Sequence, residues 1–173
     1  LKGELGLQDF SIDACLKRRG FQIIQKNPRE NLIFPEDTTP ENEELIYRYL
    51  KRYSFRIFLR DIIKRKECFK LRDLESFCSR DTVKKYIDVL IKTGIIRKTG
   101  RRQFALVNKN VRSFGDTFEW FVAMIFRKEF GASSAWGVKL KGTVTGGDYD
   151  VMAYLERYFV YLELKSSPPK HVE

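Results

Sequence analysis

Apolar residues in the middle of the chain recur at the three- and four-residue spacing of helices. The pattern predicts one long helix or two adjoining ones over residues 41–66, and a short helix over residues 71–77. A further amphipathic helix is expected to begin after Ser79, a favourable N-cap, and to stop at Gly94. This part of the chain is therefore predicted to be mainly helical.

Two β-like runs follow these helices, at residues 95–98 and 103–107, and the segment Thr99-Gly100-Arg101-Arg102 joins them. A helix, a turn, a second helix and a basic-tipped hairpin over about residues 43–108 resemble the winged helix-turn-helix superfamily. The resemblance implies a DNA-binding domain in which the second helix and the hairpin, called the wing, contact phosphates. The alternative is a winged helix that only mediates protein contacts.

The distribution of charge favours nucleic acid as the partner. The chain has 33 Lys and Arg residues against 23 Asp and Glu residues, a net charge of +10. Residues 41–112 hold 20 of the basic and 9 of the acidic side chains, so the excess lies in the segment that resembles a winged helix. The candidate DNA contacts on its second helix and wing are Lys84, Lys85, Lys92, Arg97, Lys98, Arg101 and Arg102.

The last third of the chain combines a helix with strands. Large apolar residues recur at helical spacing over residues 116–130, and Gly131 follows as a stop signal. Residues 135–140 predict a first strand. Two further apolar strands are expected to pair as a hairpin through Glu156-Arg157.

Charged residues mark one end of this predicted hairpin. Asp150 leads its first strand, and Glu163 and Lys165 end its second. Because side chains alternate between the faces of a strand, Glu163 and Lys165 are expected to point the same way, and the pairing can bring Asp150 close to Glu163. Carboxylates held together in this way are costly unless a cation or a substrate compensates them. The alternative interpretation is an ordinary amphipathic hairpin with charged ends.

The order of one helix and three strands, with Gly146-Gly147 before Asp150 and with Glu163-x-Lys165 on the last strand, resembles the PD-(D/E)xK nuclease superfamily. The resemblance covers residues 114–167. It implies a restriction-endonuclease-like α/β/α core, a bound Mg²⁺ or Mn²⁺ ion and hydrolysis of phosphodiester bonds.

The same resemblance assigns roles to individual residues. Asp150, Glu163 and the carbonyl of Leu164 would bind the metal, as would Glu119 on the preceding helix, although Glu119 alternatively only complements the dipole of that helix. Lys165 would orient or deprotonate the attacking water, or stabilise the charge that develops on the phosphate. The catalytic set is therefore Asp150, Glu163, Lys165 and Glu119.

Other classes of site have little support in the sequence. Three cysteines, Cys15, Cys68 and Cys78, are widely spaced and indicate neither a zinc site nor a disulfide framework, which suits a reducing intracellular setting, cytoplasmic or nucleoid-associated. The single histidine, His171, lies near the end of the sequence. No Walker motif, dinucleotide fingerprint or membrane-length apolar run is present.

These patterns predict an α+β protein in which a winged helix-turn-helix precedes a nuclease-like core. Residues 1–40 form a segment of unclear role, residues 41–112 the winged-helix domain, and residues 113–173 the nuclease-like domain. Only eight residues follow Lys165, whereas the family core usually continues with a helix and a strand. The nuclease-like domain is therefore expected to be incomplete at its C-terminus.

The predicted function is a metal-dependent DNA endonuclease with no membrane partner. A homodimer is expected because one site cuts one strand, so a duplex break needs two sites. The main alternative is a DNA-binding regulatory or ATPase-associated module whose nuclease fold is inactive.

Overall fold

A computed structural model describes residues 11–74, 78–141 and 147–165 of the chain. Within these ranges the protein is of the α+β class, as the sequence predicts. Its elements in chain order are α1 (Ile12–Arg18), β1 (Gln22–Gln25), α2 (Pro40–Leu50), α3 (Tyr53–Arg65), β2 (Phe69–Lys70), a short 3-10 helix (Leu71–Leu74), α4 (Arg80–Lys92), β3 (Ile96–Gly100), β4 (Gln103–Leu106), α5 (Gly115–Phe130), β5 (Ser133–Lys141), β6 (Asp148–Leu155) and β7 (Tyr158–Leu162).

The chain divides into two compact units, and the division falls within α5. The sheet unit contains residues 11–28 and the described part of residues 122–165. The helical unit contains the described part of residues 29–121. This division differs from the predicted boundaries, which separated residues 1–40 from the rest and placed all of α5 with the strands that follow it.

A four-stranded antiparallel sheet forms the centre of the sheet unit, in the order β1-β5-β6-β7. The N-terminal segment contributes an edge strand to it, because β1 pairs with β5 from Gln22 opposite Lys141 onward. The buried side of the sheet joins Ile12 and Leu16 of α1 to Met152 and to apolar residues of β5. Helix α1 and strand β1, which lie in the N-terminal segment of unclear role, therefore belong to the same core as β6, the strand that carries Asp150.

The opposite face of this sheet carries the second half of α5. Ser134 donates a hydrogen bond from its hydroxyl to the carbonyl of Ala123, at 2.6 Å. The Arg127 guanidinium donates to the carbonyl of Ser134, also at 2.6 Å, and lies over the ring of Trp136. Because Ala135 faces α1 while Ser134 and Trp136 contact α5, the sheet of this unit is covered by a helix on each side.

The helical unit is built around aromatic contacts among α2, α3 and α4. The ring of Tyr86 meets Phe55 and Phe58 edge-on, with ring centres 4.9 and 5.3 Å apart, and its hydroxyl lies 2.7 Å from the hydroxyl of Ser54. Thr39 caps α2 by accepting from the amide of Asn42. Arg52 has an extended backbone conformation, so α2 and α3 are two adjoining helices and not one long one.

The region predicted as two helices and a hairpin follows α3. Ser79 caps α4 as expected, and Gly94, in the left-handed conformation at a φ of 73°, follows its end. Strands β3 and β4 pair as a hairpin, and β2 adds a third strand when Phe69 pairs with Phe104. The short helix predicted over residues 71–77 is a 3-10 turn at Leu71–Leu74, and residues 75–77 lie outside the described ranges.

A buried hydroxyl fixes the first half of α5 within the helical unit. Thr117 is fully buried, and its hydroxyl oxygen accepts a hydrogen bond from the amide of Ile33 at 3.0 Å. Beside this bond the ring of Phe34 meets Trp120 edge-on, with ring centres 4.7 Å apart. The segment before α2 is thereby held against α5.

We expect Thr117→Val to lower the free energy of unfolding by about 1–3 kcal/mol, because the buried amide of Ile33 would lose its acceptor. Thr117→Ser, which keeps the hydroxyl, should lose less. Urea unfolding followed by far-UV circular dichroism measures both. Equal losses for the two variants would show that the methyl group, and not the hydrogen bond, is the stabilising feature.

Candidate functional site

The pairing of β6 with β7 positions Asp150 beside the end of β7. Val151 pairs with Leu162, so one further step in the same antiparallel register sets Asp150 opposite Glu163. The backbone amide of Leu164 donates to Oδ2 of Asp150 at 2.5 Å. The structure therefore brings Asp150 next to the Glu163-Leu164-Lys165 segment.

Glu163 and Lys165 form an exposed ion pair on one side of this strand end. The Nζ atom of Lys165 lies 2.8 Å from Oε1 of Glu163. The hydrogen bond and the positive charge of Lys165 lower the pKa of Glu163 below its ordinary value. The same hydrogen bond and the charge of Glu163 raise the pKa of Lys165 above its ordinary value. The two side chains share a face, as the alternation of the strand requires.

Tyr161, which is not among the predicted site residues, is part of the same cluster. Its hydroxyl donates to Oε2 of Glu163 at 3.4 Å, and the ring of Tyr149 meets its own ring edge-on at 5.1 Å. Partial burial, followed by the negative charges of Glu163 and Asp150, raises the pKa of Tyr161. The available signal was its position two residues before Glu163, which puts both side chains on one face.

Asp150 lies at a point in β6 where the regular alternation of side chains between the two faces of the sheet is interrupted. Tyr149 and Met152 both pack on the side of the sheet that carries α1, although residues three apart in a regular strand point to opposite sides. Opposite Asp150 in β5 lies Gly137, which has a φ of 54°. A local irregularity of this kind re-aims a side chain. This irregularity lies at Asp150, whose half-buried carboxylate accepts the hydrogen bond from the Leu164 amide.

Glu119 has a different structural setting. It lies on the first half of α5, which belongs to the helical unit, whereas Asp150 and Glu163 belong to the sheet unit. It has an interaction partner of its own. Its roles as a metal ligand and catalytic residue therefore stay predictions from the family resemblance.

The donor set of Asp150, Glu163 and the Leu164 carbonyl suits a hard divalent cation. The described ranges contain no group of three or more His, Cys, Asp or Glu side chains placed to hold a metal. Magnesium is commonly held by only one or two carboxylates, with water and substrate phosphate completing its shell. Asp150 and Glu163 match that mode, in which the nucleic-acid substrate supplies further oxygens.

The basic residues predicted to contact DNA are exposed, but only some of them have acidic residues beside them. On α4, Lys84, Lys85 and Lys92 share the outward face with Asp81 and Asp88. The remaining four lie on the β3–β4 hairpin, where no acidic residue interrupts them. These are Arg97, Lys98, Arg101 and Arg102.

Comparison with known proteins shows a likeness of fold only. No protein-family model matches the chain, and no curated protein matches its sequence. Among solved structures, it is similar to protein VC1899 from Vibrio cholerae, with a TM-score of 0.52 and 13% sequence identity. The alignment covers 80% of this chain and 42% of VC1899, so the chain spans less than half of that protein's length.

In the described ranges, every helix falls short of the length or apolar character that a bilayer crossing requires.

We expect Lys165→Met to raise the pKa of Glu163 toward its ordinary value, because the variant removes both causes of the lowering that come from Lys165. Titration of the side-chain carboxyl by NMR measures it directly. Lys139→Met is the matched control, since Lys139 is paired with Asp148 on the same sheet. A Glu163 titration that moves equally in both variants would contradict the assigned ion pair.

Proposed function

We propose that the chain is a metal-dependent DNA endonuclease, in which the sheet unit hydrolyses phosphodiester bonds and the helical unit binds DNA. The observation that carries the proposal is the hydrogen bond from the Leu164 amide to Asp150, because Leu164 lies between the two residues of the Glu163–Lys165 ion pair. This arrangement provides two carboxylates, a backbone carbonyl and an ammonium group at one end of a sheet.

The topology supports the nuclease-like assignment. Helix α5 precedes three consecutive antiparallel strands, and Asp150 lies on the middle one of them. Glu163, Leu164 and Lys165 follow directly from the end of β7. This is the order that the PD-(D/E)xK resemblance implies for its metal ligands and lysine. The 3-10 helix, α4 and the β3–β4 hairpin likewise support a winged helix.

Asp150 and Glu163 would hold Mg²⁺ or Mn²⁺ with their carboxylates, together with the Leu164 carbonyl. When bound, such an ion lowers the pKa of a coordinated water and neutralises charge on the scissile phosphate. Glu163 raises the pKa of Lys165, which stabilises its ammonium form. Lys165 would orient or help deprotonate the attacking water, or stabilise phosphate charge through its ammonium group.

The ion pair between Glu163 and Lys165 involves one of the candidate metal-binding carboxylates. The Nζ atom of Lys165 lies 2.8 Å from Oε1 of Glu163. A phosphate oxygen near Lys165 would offer the amine an alternative acceptor and leave the Glu163 carboxylate available to a cation. Nucleic acid and metal binding should therefore reinforce each other.

A second candidate function is a DNA-binding regulatory or ATPase-associated module with an inactive nuclease fold. The observation that favours it is the small number of acidic groups at the candidate site. In the described ranges no group of three or more His, Cys, Asp or Glu side chains is placed to hold a metal. Lys165, beside the two carboxylates, is already paired with Glu163. Such a protein would bind DNA through its helical unit and fail to cut under any metal condition.

A homodimer remains part of the proposal, because a duplex break needs two sites. Both edges of the four-stranded sheet carry an exposed apolar or aromatic side chain. On β1 this is Ile24, with 64% of its surface exposed, and on β7 it is Tyr158, with 72% exposed. Pairing of sheet edges between two chains would cover these side chains.

In a plasmid-nicking assay with Mg²⁺, the chain should cut, and EDTA should abolish cutting. Asp150→Asn should reduce the rate by at least about 100-fold, because the isosteric amide is a poor ligand for a hard cation. Asp148→Asn is the matched control: Asp148 lies on the same strand with 72% of its side chain exposed, and it should retain activity. Gel analysis of supercoiled, nicked and linear forms measures all three proteins.

Cleavage that survives Asp150→Asn unchanged would remove Asp150 from the site. Absence of cleavage by the parent protein with both Mg²⁺ and Mn²⁺, together with intact DNA binding, would favour the regulatory alternative.

DNA affinity should depend on the helical unit. A variant with Lys84, Lys85, Arg101 and Arg102 all replaced by alanine should bind DNA more weakly. Its plot of log affinity against log salt should be shallower by up to roughly 3–4, because fewer counterions are released. The control replaces four exposed cations outside α4 and the β3–β4 hairpin, Lys17, Lys64, Lys109 and Arg112. Fluorescence anisotropy in EDTA measures both, and equal slopes for the two variants would contradict the assignment of this surface.

A further inference from the structure

Tyr161 is a neutral hydrogen-bond donor to Glu163, one of the candidate metal-binding carboxylates. Its hydroxyl donates to Oε2 of Glu163 at 3.4 Å, whereas Nζ of Lys165 lies 2.8 Å from Oε1. Each carboxylate oxygen of Glu163 thus has a donor of its own. Because 55% of the Glu163 side chain is exposed and several of its bonds can rotate, such contacts decide which of its rotamers is populated.

The core of the sheet unit holds Tyr161 in place. Tyr161 pairs with Met152 across β7 and β6, and Met152 is buried against α1. The ring of Tyr149 meets the ring of Tyr161 edge-on, with ring centres 5.1 Å apart, and Tyr149 packs against the same buried cluster. Apolar packing therefore fixes the ring of Tyr161 and, with it, the position of the hydroxyl oxygen.

The two donors to Glu163 differ in their effect on a cation that approaches the carboxylate. Lys165 is itself a cation, so its pairing with Oε1 repels a second positive charge. The Tyr161 hydroxyl donates without carrying a charge. A carboxylate oxygen has more than one lone pair, so Oε2 can accept this hydrogen bond and still bind a metal. The contact with Tyr161 is therefore compatible with metal binding, whereas the contact with Lys165 opposes it.

We propose that Tyr161 is a positioning residue, which orients the Glu163 carboxylate for a divalent cation while Lys165 contacts a phosphate. The inference rests on the proposed nuclease function. Carboxylates that bind metals are themselves hydrogen-bonded by outer groups, and loss of such a group typically costs about 10–100-fold in metal affinity. Once Lys165 leaves Oε1, Tyr161 is the remaining donor to Glu163 among the described residues. It would limit the movement of the carboxylate when the cation binds.

The test measures the Mn²⁺ affinity of Tyr161→Phe and of the parent by electron paramagnetic resonance, without nucleic acid. Phenylalanine keeps the ring beside Tyr149 and removes only the hydroxyl. We expect Mn²⁺ to bind about tenfold more weakly to the variant. Tyr158→Phe is the matched control, because Tyr158 lies on the same strand with 72% of its surface exposed. This control should bind Mn²⁺ as the parent does.

A second background isolates the proposed role. In Lys165→Met the ammonium group is gone, so Tyr161 is the only donor to Glu163 among the described residues. Adding Tyr161→Phe to Lys165→Met should therefore weaken Mn²⁺ binding by a larger factor than the same change does in the parent, because the two donors restrain one carboxylate.

Kinetics separate positioning from a general loss of structure. In the nicking assay, Tyr161→Phe should raise the Mn²⁺ concentration for half-maximal cutting about tenfold. Saturating Mn²⁺ should restore kcat to within about twofold, with KM for DNA unchanged, because the hydroxyl contacts neither the substrate nor the reacting atoms. A residue needed only for folding would lower the rate at every Mn²⁺ concentration.

Each outcome bears on the inference. It would be overturned if Tyr161→Phe left Mn²⁺ affinity unchanged, if the loss were no larger in the Lys165→Met background, or if Tyr158→Phe caused the same loss. Should Asp150→Asn still abolish Mn²⁺ binding in any of those cases, the proposed function would stand without the role of Tyr161. Absence of Mn²⁺ binding by the parent would instead contradict the metal-dependent function itself.

Discussion

The register between β6 and β7 is the constraint on which the proposed site depends. Val151 faces Leu162 and Ala153 faces Val160, so Asp150 can meet only the segment that begins at Glu163. A slip of one residue would turn every side chain of β7 to the other face of the sheet. Met152 and Phe159 pack on the core beside α1, and this burial opposes such a slip. Apolar packing in the middle of the hairpin thus positions the charged groups at its end.

Helix α5 is one continuous amphipathic helix, but its two halves pack in the cores of different units. Its first half carries Thr117 and Trp120 into the core of the helical unit, where a buried hydroxyl and an aromatic contact hold it. Its second half carries Ala123 and Arg127 onto the sheet, where the bonds to Ser134 are made. Burial lowers the pKa of Arg127, but the guanidinium is compensated by a carbonyl and an aromatic face. Polar contacts therefore specify both halves of the helix.

Local signals in the sequence predict much of this fold, whereas contacts between distant residues are largely hidden from it. Capping at Ser79, the stop at Gly94 and the Glu156-Arg157 turn are encoded within a few residues. The pairing of β1 with β5 joins residues more than a hundred positions apart, and no local pattern identifies that partner. Tyr161 is the exception, because its spacing of two residues from Glu163 is a local signal that was missed.

The charges of the Glu163–Lys165 pair are balanced within the candidate site, and this bears on the role proposed for it. Glu163 and Lys165 compensate each other in an exposed ion pair, which contributes little to stability and can be opened at low cost. In the proposed nuclease, such a pair would open so that Glu163 could bind a cation and Lys165 a phosphate of the nucleic acid.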